Sequence, residues 1–185
     1  MYKRQTLNGL NAVVVGGGGI AQEYLRLLKT WDVRVTAVRR RAGDVPGADR
    51  TVTTDHLDEV LPGAQVVMIA AAATEETRGM FDADRLALLD EDAVLVNVAR
   101  GALVDTDAVV QALAAGRLHG YGTDVTDPEP LPEGHPLWTE ERALITPHTA
   151  DTPEMCVPLL HARVERNLRA RALSLIHISE PTRLR

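Results

Sequence analysis

The chain has 185 residues, 45% hydrophobic and 25% charged, a composition that suits one soluble globular domain and excludes a disordered chain. It has no run of the roughly eighteen apolar residues that a membrane span needs, no secretory signal, and only one cysteine, Cys156, so an intrachain disulfide is excluded. A formal net charge of -6 opposes nucleic-acid binding and no Cys/His spacing suggests a metal site, which leaves a cytoplasmic protein acting on small molecules as the expectation.

Asn11 to Val15 is a short apolar run feeding Gly16 to Gly19, the pattern of a buried strand that ends at a tight turn. A helix follows, in which Ile20, Tyr24, Leu27, Leu28 and Trp31 recur at helical spacing and are expected to face the core. Val33 to Val38 supplies a second strand, and the intervening connection suits a right-handed crossover in a parallel sheet. Thr54 or Asp55 is expected to cap a short helix ending near Leu61, and Gln65 to Ile69 reads as the next buried strand. Asp82 to Leu89 reads as a helix and Ala93 to Val98 as a strand. Asp105 or Thr106 caps a helix bearing Val109, Val110 and Leu113, which Gly116 stops in a left-handed conformation. Leu118 to Thr123 and Ala143 to Ile145 complete the strands. Pro153 to Arg169 is a last helical segment, bent at Pro158, on which Cys156 is expected to be a packed thiol. Strands alternating with helices imply an α/β fold, a doubly wound parallel sheet of the Rossmann kind.

The two ends read differently. Leu173 to His177 can be written CTG TCT CTT ATA CAC, and the reverse complement, GTG TAT AAG AGA CAG, encodes Met1 to Gln5 with GTG as initiator. This inverted repeat resembles a transposase-type sequencing-library adapter, so residues 1–5 and 173–185 are expected to be its in-frame translation. Setting them aside leaves sixteen Lys and Arg against twenty-five Asp and Glu, a charge of -9. The expected division is then a dinucleotide-binding domain over 6–152 and a C-terminal helix over 153–172, with a substrate domain missing from a chain cut at both ends.

Gly16, Gly18 and Ala21 form G-x-G-x-x-A between a strand and a helix. Gly16 permits the tight turn, Gly18 lets a pyrophosphate approach the backbone, and Ala21 lets the helix pack closely on the strand, with the helix N-terminal amides meeting the anion. Where an acidic residue after the second strand would bind the ribose hydroxyls of NAD, the chain has Arg39, Arg40 and Arg41. Arg39 and Arg40 suit a 2′-phosphate, so NADPH is expected to be preferred, with NADH possible.

Three strand-terminal segments carry candidate chemistry: Asn97 to Gly101, Asp124 to Leu131 and Thr146 to Ala150. Such positions line the ligand crevice of an open parallel sheet. Arg100 suits a substrate carboxylate, His148 can protonate a carbonyl oxygen as hydride arrives, and Glu129 can hold the imidazole, a set fit for reducing a 2-keto acid. His56, His119, His135 and His161 are expected to be structural or solvated, and Asp90, Glu91 and Asp92 a polar turn; no metal is expected.

On the glycine turn, Thr74-Glu-Glu-Thr77-Arg-Gly, Asn-x-x-Arg-Gly running into Leu103-Val104-Asp105, Asp-Val-x-x-x-Glu-Pro-Leu and Thr-Pro-His, the chain resembles the nucleotide-binding domain of the D-isomer-specific 2-hydroxyacid dehydrogenases from Leu7 to about Asn167. The resemblance implies catalytic roles for Arg100, Glu129 and His148 and a place for Asp124 near the nicotinamide. It also implies cofactor contacts at Gly16, Gly18, Gly19, Ile20, Ala71, Ala72, Thr77, Val98 and Ala99. A small substrate such as glyoxylate or hydroxypyruvate, and a homodimer of the full-length protein, follow from the same likeness. Two departures stand out: the proline usual before the Thr-x-x-Thr segment is replaced in Ala70 to Ala73, and the acidic residue after the second strand is absent. Since the family builds its substrate domain mainly from sequence before Leu7, this chain alone is expected to be inactive. The competing expectation is a nicotinamide-sensing, corepressor-like binding module.

Overall fold

A computed structural model describes residues 6–172; the end segments 1–5 and 173–185, read above as adapter translation, lie outside the described residues. The described residues divide into two units, one up to Pro147 and one from His148. The first begins with strand β1 (Asn11–Val15), helix α1 (Gly19–Leu28), strands β2 (Arg34–Arg39) and β3 (Arg50–Thr53), and the single-turn helix α2 (Leu57–Val60). It continues with β4 (Val66–Ile69), α3 (Ala83–Leu86), β5 (Val94–Asn97), α4 (Thr106–Ala114), β6 (Gly120–Thr123) and β7 (Ala143–Ile145). The sheet order is β3-β2-β1-β4-β5-β6-β7 and every pairing is parallel.

This is the doubly wound sheet expected of the sequence. Strand β1 lies inside it, between β2 and β4, and its side chains alternate between two cores, as period-2 geometry requires of a strand covered on both faces. Val13 and Val15 join a large cluster with Ile69, Leu95, Phe81 and Leu113, while Ala12 and Val14 join a second with Ala21, Leu25, Val35 and Ala37.

Helix α1 turns inward a face that keeps Tyr24 and Leu28 of the expected set and replaces the rest. Ala21, Leu25 and Leu28 are buried, whereas Ile20, Leu27 and Trp31 are about half exposed or more. The glycine turn sets this rotation: α1 starts at Gly19, and the small Ala21 faces the sheet where a larger side chain would hold the helix away. Strand β3 lies outside the set of strands expected from hydrophobic pattern, because Arg-Thr-Val-Thr carries one apolar residue. It pairs along the edge through its backbone, with Thr36 opposite Arg50 and Val38 opposite Val52. Around Thr54 and Asp55 no capping bond forms. A 3-10 turn over Thr54–His56 leads into α2, and neither Thr53 nor His56 caps with its side chain. The other caps are made: Asp82 accepts from Arg85 N at 3.0 Å, Asp105 accepts from Ala108 N at 3.0 Å, and Gly116 closes the end of α4 at φ +69.

The edge is tied by Asp49, whose carboxylate accepts from Lys29 Nζ and from Val35 N, each at 2.8 Å. The Lys29 ammonium, then the Val35 amide, hold its carboxyl below the usual carboxylate range. A lowered pKa means that this tie stabilises the fold above about pH 4 and is lost as pH falls through the lowered value. Asp49→Ala is expected to reduce stability by about 1 kcal/mol at pH 7, discounted for solvent exposure. Urea unfolding at pH 7 and pH 3 checks this, with wild type and variant converging in acid.

The second unit holds helix α5 (Pro153–Ala172), which continues through Pro158. Cys156 on it is exposed rather than packed, because α5 buries none of its residues.

Candidate active site

Because all pairings are parallel, the turns leaving β1, β2, β4, β5, β6 and β7 lie along one edge of the sheet. The chain order reverses between β1 and β4, which opens a crevice at that edge. Gly16 ends β1 at φ +134, and a Cβ there would stand 2.5 Å from Ala70 O and 3.2 Å from Ala71 N. Only glycine lets the turn after β1 run flush against the turn after β4.

Gly18 is the N-cap of α1, with no side-chain cap and no acidic residue in the first turn. A Cβ on Gly18 or Gly19 would meet nothing within 4 Å. The first amides of α1 thus face open space lined by glycine, a cradle that fits a dinucleotide pyrophosphate. Ile20 lies exposed beside it. Arg39, the last residue of β2, sits with Nε 3.6 Å from the Cβ position of Gly17 and donates from Nη1 to Asp44 O at 3.3 Å. Arg40 next to it is exposed. After β4, Ala71 is half-buried and Ala72 exposed, and the Thr77 hydroxyl holds this turn, donating to Ala72 O at 2.9 Å and accepting from Thr74 N at 2.8 Å.

A second group forms beyond β5 and β6. Val98 is half-buried and Ala99 buried, while Arg100 is exposed and donates from Nη1 to Ala99 O at 2.6 Å. Gly101 lies under the loop that follows β6: a Cβ would stand 2.0 Å from the carbonyl carbon of Thr126 and 2.5 Å from Asp127 N. The backbone segment after Arg100 therefore touches the Asp124 to Leu131 segment that carries Glu129, itself exposed and anchored two residues on by buried Leu131. Asp124 accepts from the Thr146 hydroxyl at 2.5 Å, and its amide donates to Asn97 O at 3.1 Å. Buried Tyr121 lies two residues before this end of β6, and burial pushes its phenol above the usual range. Asn97, Thr123, Gly101 and Thr146 hold this region together, and sequence reasoning assigns them no site role, although Asn97 and Gly101 stand in the motif around Arg100.

The structure thus brings the glycine turn, Arg39, Ala71, Ala72, Arg100, Asp124 and Glu129 to one edge of the first unit. His148 is the first residue of the second unit, exposed and with φ +53. Two surface clefts lie instead at the strand N-termini, one lined by Asn11, Arg34 and Arg50, the other by Asp90, Glu91, Asp92 and His119. Neither touches the residues just described. Among the described residues, no group of three His, Cys, Asp or Glu side chains is arranged to hold a metal, and no helix is long and apolar enough to cross a membrane.

Comparison with known proteins identifies the family. Residues 1–150 match the family described as D-isomer specific 2-hydroxyacid dehydrogenase, NAD binding domain. An uncharacterized protein in the proB 3′ region of Corynebacterium melassecola is 41% identical, over 84% of this chain and 51% of its own length. Formate dehydrogenase 2 of Oryza sativa subsp. japonica is 36% identical (82% and 40%), and the human glyoxylate reductase/hydroxypyruvate reductase 34% (73% and 42%). Among solved structures, a D-isomer specific 2-hydroxyacid dehydrogenase from Xanthobacter autotrophicus Py2, in complex with NADPH and MES, superimposes with a TM-score of 0.80 at 30% identity, covering 94% of this chain and 71% of that one. The chain spans about half the length of the curated relatives it matches. The glycine turn at the crevice and the match over most of the chain agree: this chain belongs to the D-isomer specific 2-hydroxyacid dehydrogenase family, as its NAD binding domain.

Proposed function

We propose that the parent protein is an oxidoreductase that moves hydride between NADPH and a small 2-keto acid of the glyoxylate or hydroxypyruvate kind. The present chain supplies its cofactor half, residues 6–152, with the helix over 153–172 leading toward a substrate domain. One observation carries the reading: the segments bearing Arg100 and Glu129 touch each other on the same sheet edge as the glycine cradle. Relatives named as glyoxylate or hydroxypyruvate reductases support the substrate class. The parent is read as a cytoplasmic homodimer.

Gly16, Gly18, Gly19 and Ile20 would hold the dinucleotide's phosphates, with Ala71, Ala72, Thr77, Val98 and Ala99 along the rest of it and Asp124 toward the nicotinamide. When bound, the nicotinamide supplies the hydride, or accepts it in the reverse direction. Arg100 pairs with the substrate carboxylate through a charge-assisted hydrogen bond and fixes which carbon faces the donor. His148 gives its proton to the carbonyl oxygen as negative charge develops there, and Glu129 orients the imidazole. In the oxidative direction His148 takes the hydroxyl proton. A dinucleotide-sensing module would need the glycine cradle and not the arginine. Arg100→Ala in the full-length parent is expected to raise the keto-acid KM by at least about tenfold, the worth of one charge-assisted contact, with NADPH binding unchanged. An unchanged KM contradicts the reading.

Cofactor choice rests on Arg39 and Arg40. A guanidinium beside the glycine turn favours a 2′-phosphate, and the NADPH complex of the Xanthobacter relative supports that preference. Replacing both with Ala is expected to lower the NADPH over NADH ratio of kcat/KM about 10- to 100-fold. Equal efficiency with both cofactors in the unaltered parent would contradict it.

A further inference from the structure

We infer that Asn97 is a positioning residue for Arg100, setting affinity for the substrate carboxylate without touching substrate; this rests on the reading of Arg100 given above. Asn97 is fully buried at the last position of β5, where the sheet ladder ends and the backbone must turn. A buried amide needs partners for both its oxygen and its nitrogen. Asn97 finds both in the segment it precedes: Oδ1 accepts from Ala99 N at 3.0 Å, and Nδ2 donates to Arg100 O at 2.9 Å. One side chain therefore fixes the peptide units on either side of Ala99 and Arg100, as Asx turns do.

The clamp extends to the guanidinium. Arg100 Nη1 donates to the carbonyl of Ala99, the residue whose amide Asn97 holds, so orienting that residue's backbone orients the acceptor of the arginine. The clamp is itself braced. The Asn97 carbonyl accepts from Asp124 N at 3.1 Å and from the Thr123 hydroxyl at 3.3 Å, which ties it to the end of β6. On the far side, Gly101 lies against the Thr126–Asp127 backbone, so the segment is held at both ends. Without the amide, the bonds to Ala99 N and Arg100 O are lost together, and Arg100 can shift.

Asn97→Ala in the full-length parent is expected to raise the keto-acid KM about 10- to 100-fold, the effect of a displacement of order 1 Å, and to weaken NADPH by a smaller factor, since Val98 and Ala99 are two among several cofactor contacts and the glycine turn is untouched. Asn97→Ser keeps a short acceptor for Ala99 N without placing a charge in the core and loses the amide donor to Arg100 O, so an intermediate rise is expected. The deciding test is a double-mutant cycle with Arg100→Ala. If Asn97 acts through Arg100, its replacement raises KM when Arg100 is present and leaves KM unchanged in the Arg100→Ala background. An equal rise in both backgrounds, or none in either, overturns the inference about Asn97. An unchanged KM in Arg100→Ala alone overturns the reading of Arg100 instead, so the two failures are distinct. Should Asn97→Ala fail to fold, the same cycle with Asn97→Ser decides between these outcomes.

Discussion

His148→Gln in the full-length parent lowers kcat about 100- to 10,000-fold if the imidazole gives the proton to the carbonyl oxygen. Glutamine is close to histidine in size and retains hydrogen-bonding groups, yet it has no proton to exchange near neutral pH. The loss therefore isolates proton transfer from packing and from binding. NADPH affinity, measured by fluorescence titration, should stay within about fivefold, since one contact of ordinary strength is the most that the exchange removes from the cofactor side. Glu129→Gln is expected to have a smaller effect in the same direction, because it disturbs the orientation of the imidazole and leaves the proton in place. Near-normal turnover in His148→Gln would remove His148 from the mechanism.

Gly101→Ala is expected to be the most damaging single-methyl change in the first unit's functional edge. The added carbon would stand 2.0 Å from the carbonyl carbon of Thr126, 2.1 Å from its oxygen and 2.5 Å from Asp127 N. These are backbone atoms, so no change of rotamer relieves the overlap, and one of the two segments must move. Stability is expected to fall by about 2–4 kcal/mol, in the range of severe overpacking. Function should fall as well, because the moving segments carry Arg100 on one side and Glu129 on the other. Gly120→Ala in β6 is the control, since its Cβ would come no closer than 3.4 Å to Arg142 O; a loss of about 1 kcal/mol or less is expected. Urea unfolding of the two variants side by side decides the matter, and equal losses would mean that the contact at Gly101 has no special weight.

The fold is legible wherever burial on both faces leaves a continuous apolar run, as at Asn11–Val15, which glycine closes, and at Val66–Ile69. It is less legible where apolar residues surround an element. Helix α1 carries Ile20, Ala21, Tyr24, Leu25, Leu27 and Leu28, so two stripes of helical spacing compete, and the close approach of Ala21 to the sheet selects the one with Leu25. Strand β3 leaves no such signal because an edge strand is held by backbone pairing and by Asp49, neither of which produces a pattern of side-chain hydrophobicity. Cys156 departs from the packed thiol expected of it because α5 buries none of its residues.

The sheet edge that gathers the Arg100 and Glu129 segments follows from one rule, that parallel strands end on the same side. What holds those segments in place is not readable from the residues alone. The Asn97 clamp depends on irregular backbone after β5, and the close approach at Gly101 depends on where a loop from β6 passes. The contact from Thr123 to Asn97 joins residues 26 positions apart, a separation with no periodicity to betray it.

The most direct test follows the hydride. The full-length parent is incubated with NADPH carrying deuterium at both positions of C4 of the nicotinamide and with glyoxylate or hydroxypyruvate, and the products are analysed by mass spectrometry and chiral chromatography. Deuterium transferred to C2 of the hydroxy acid, with hydroxypyruvate giving the D isomer, is the expected result. Binding of NADPH with no deuterium transferred to any 2-keto acid tried would contradict the account and favour a protein that senses the dinucleotide without turning over substrate.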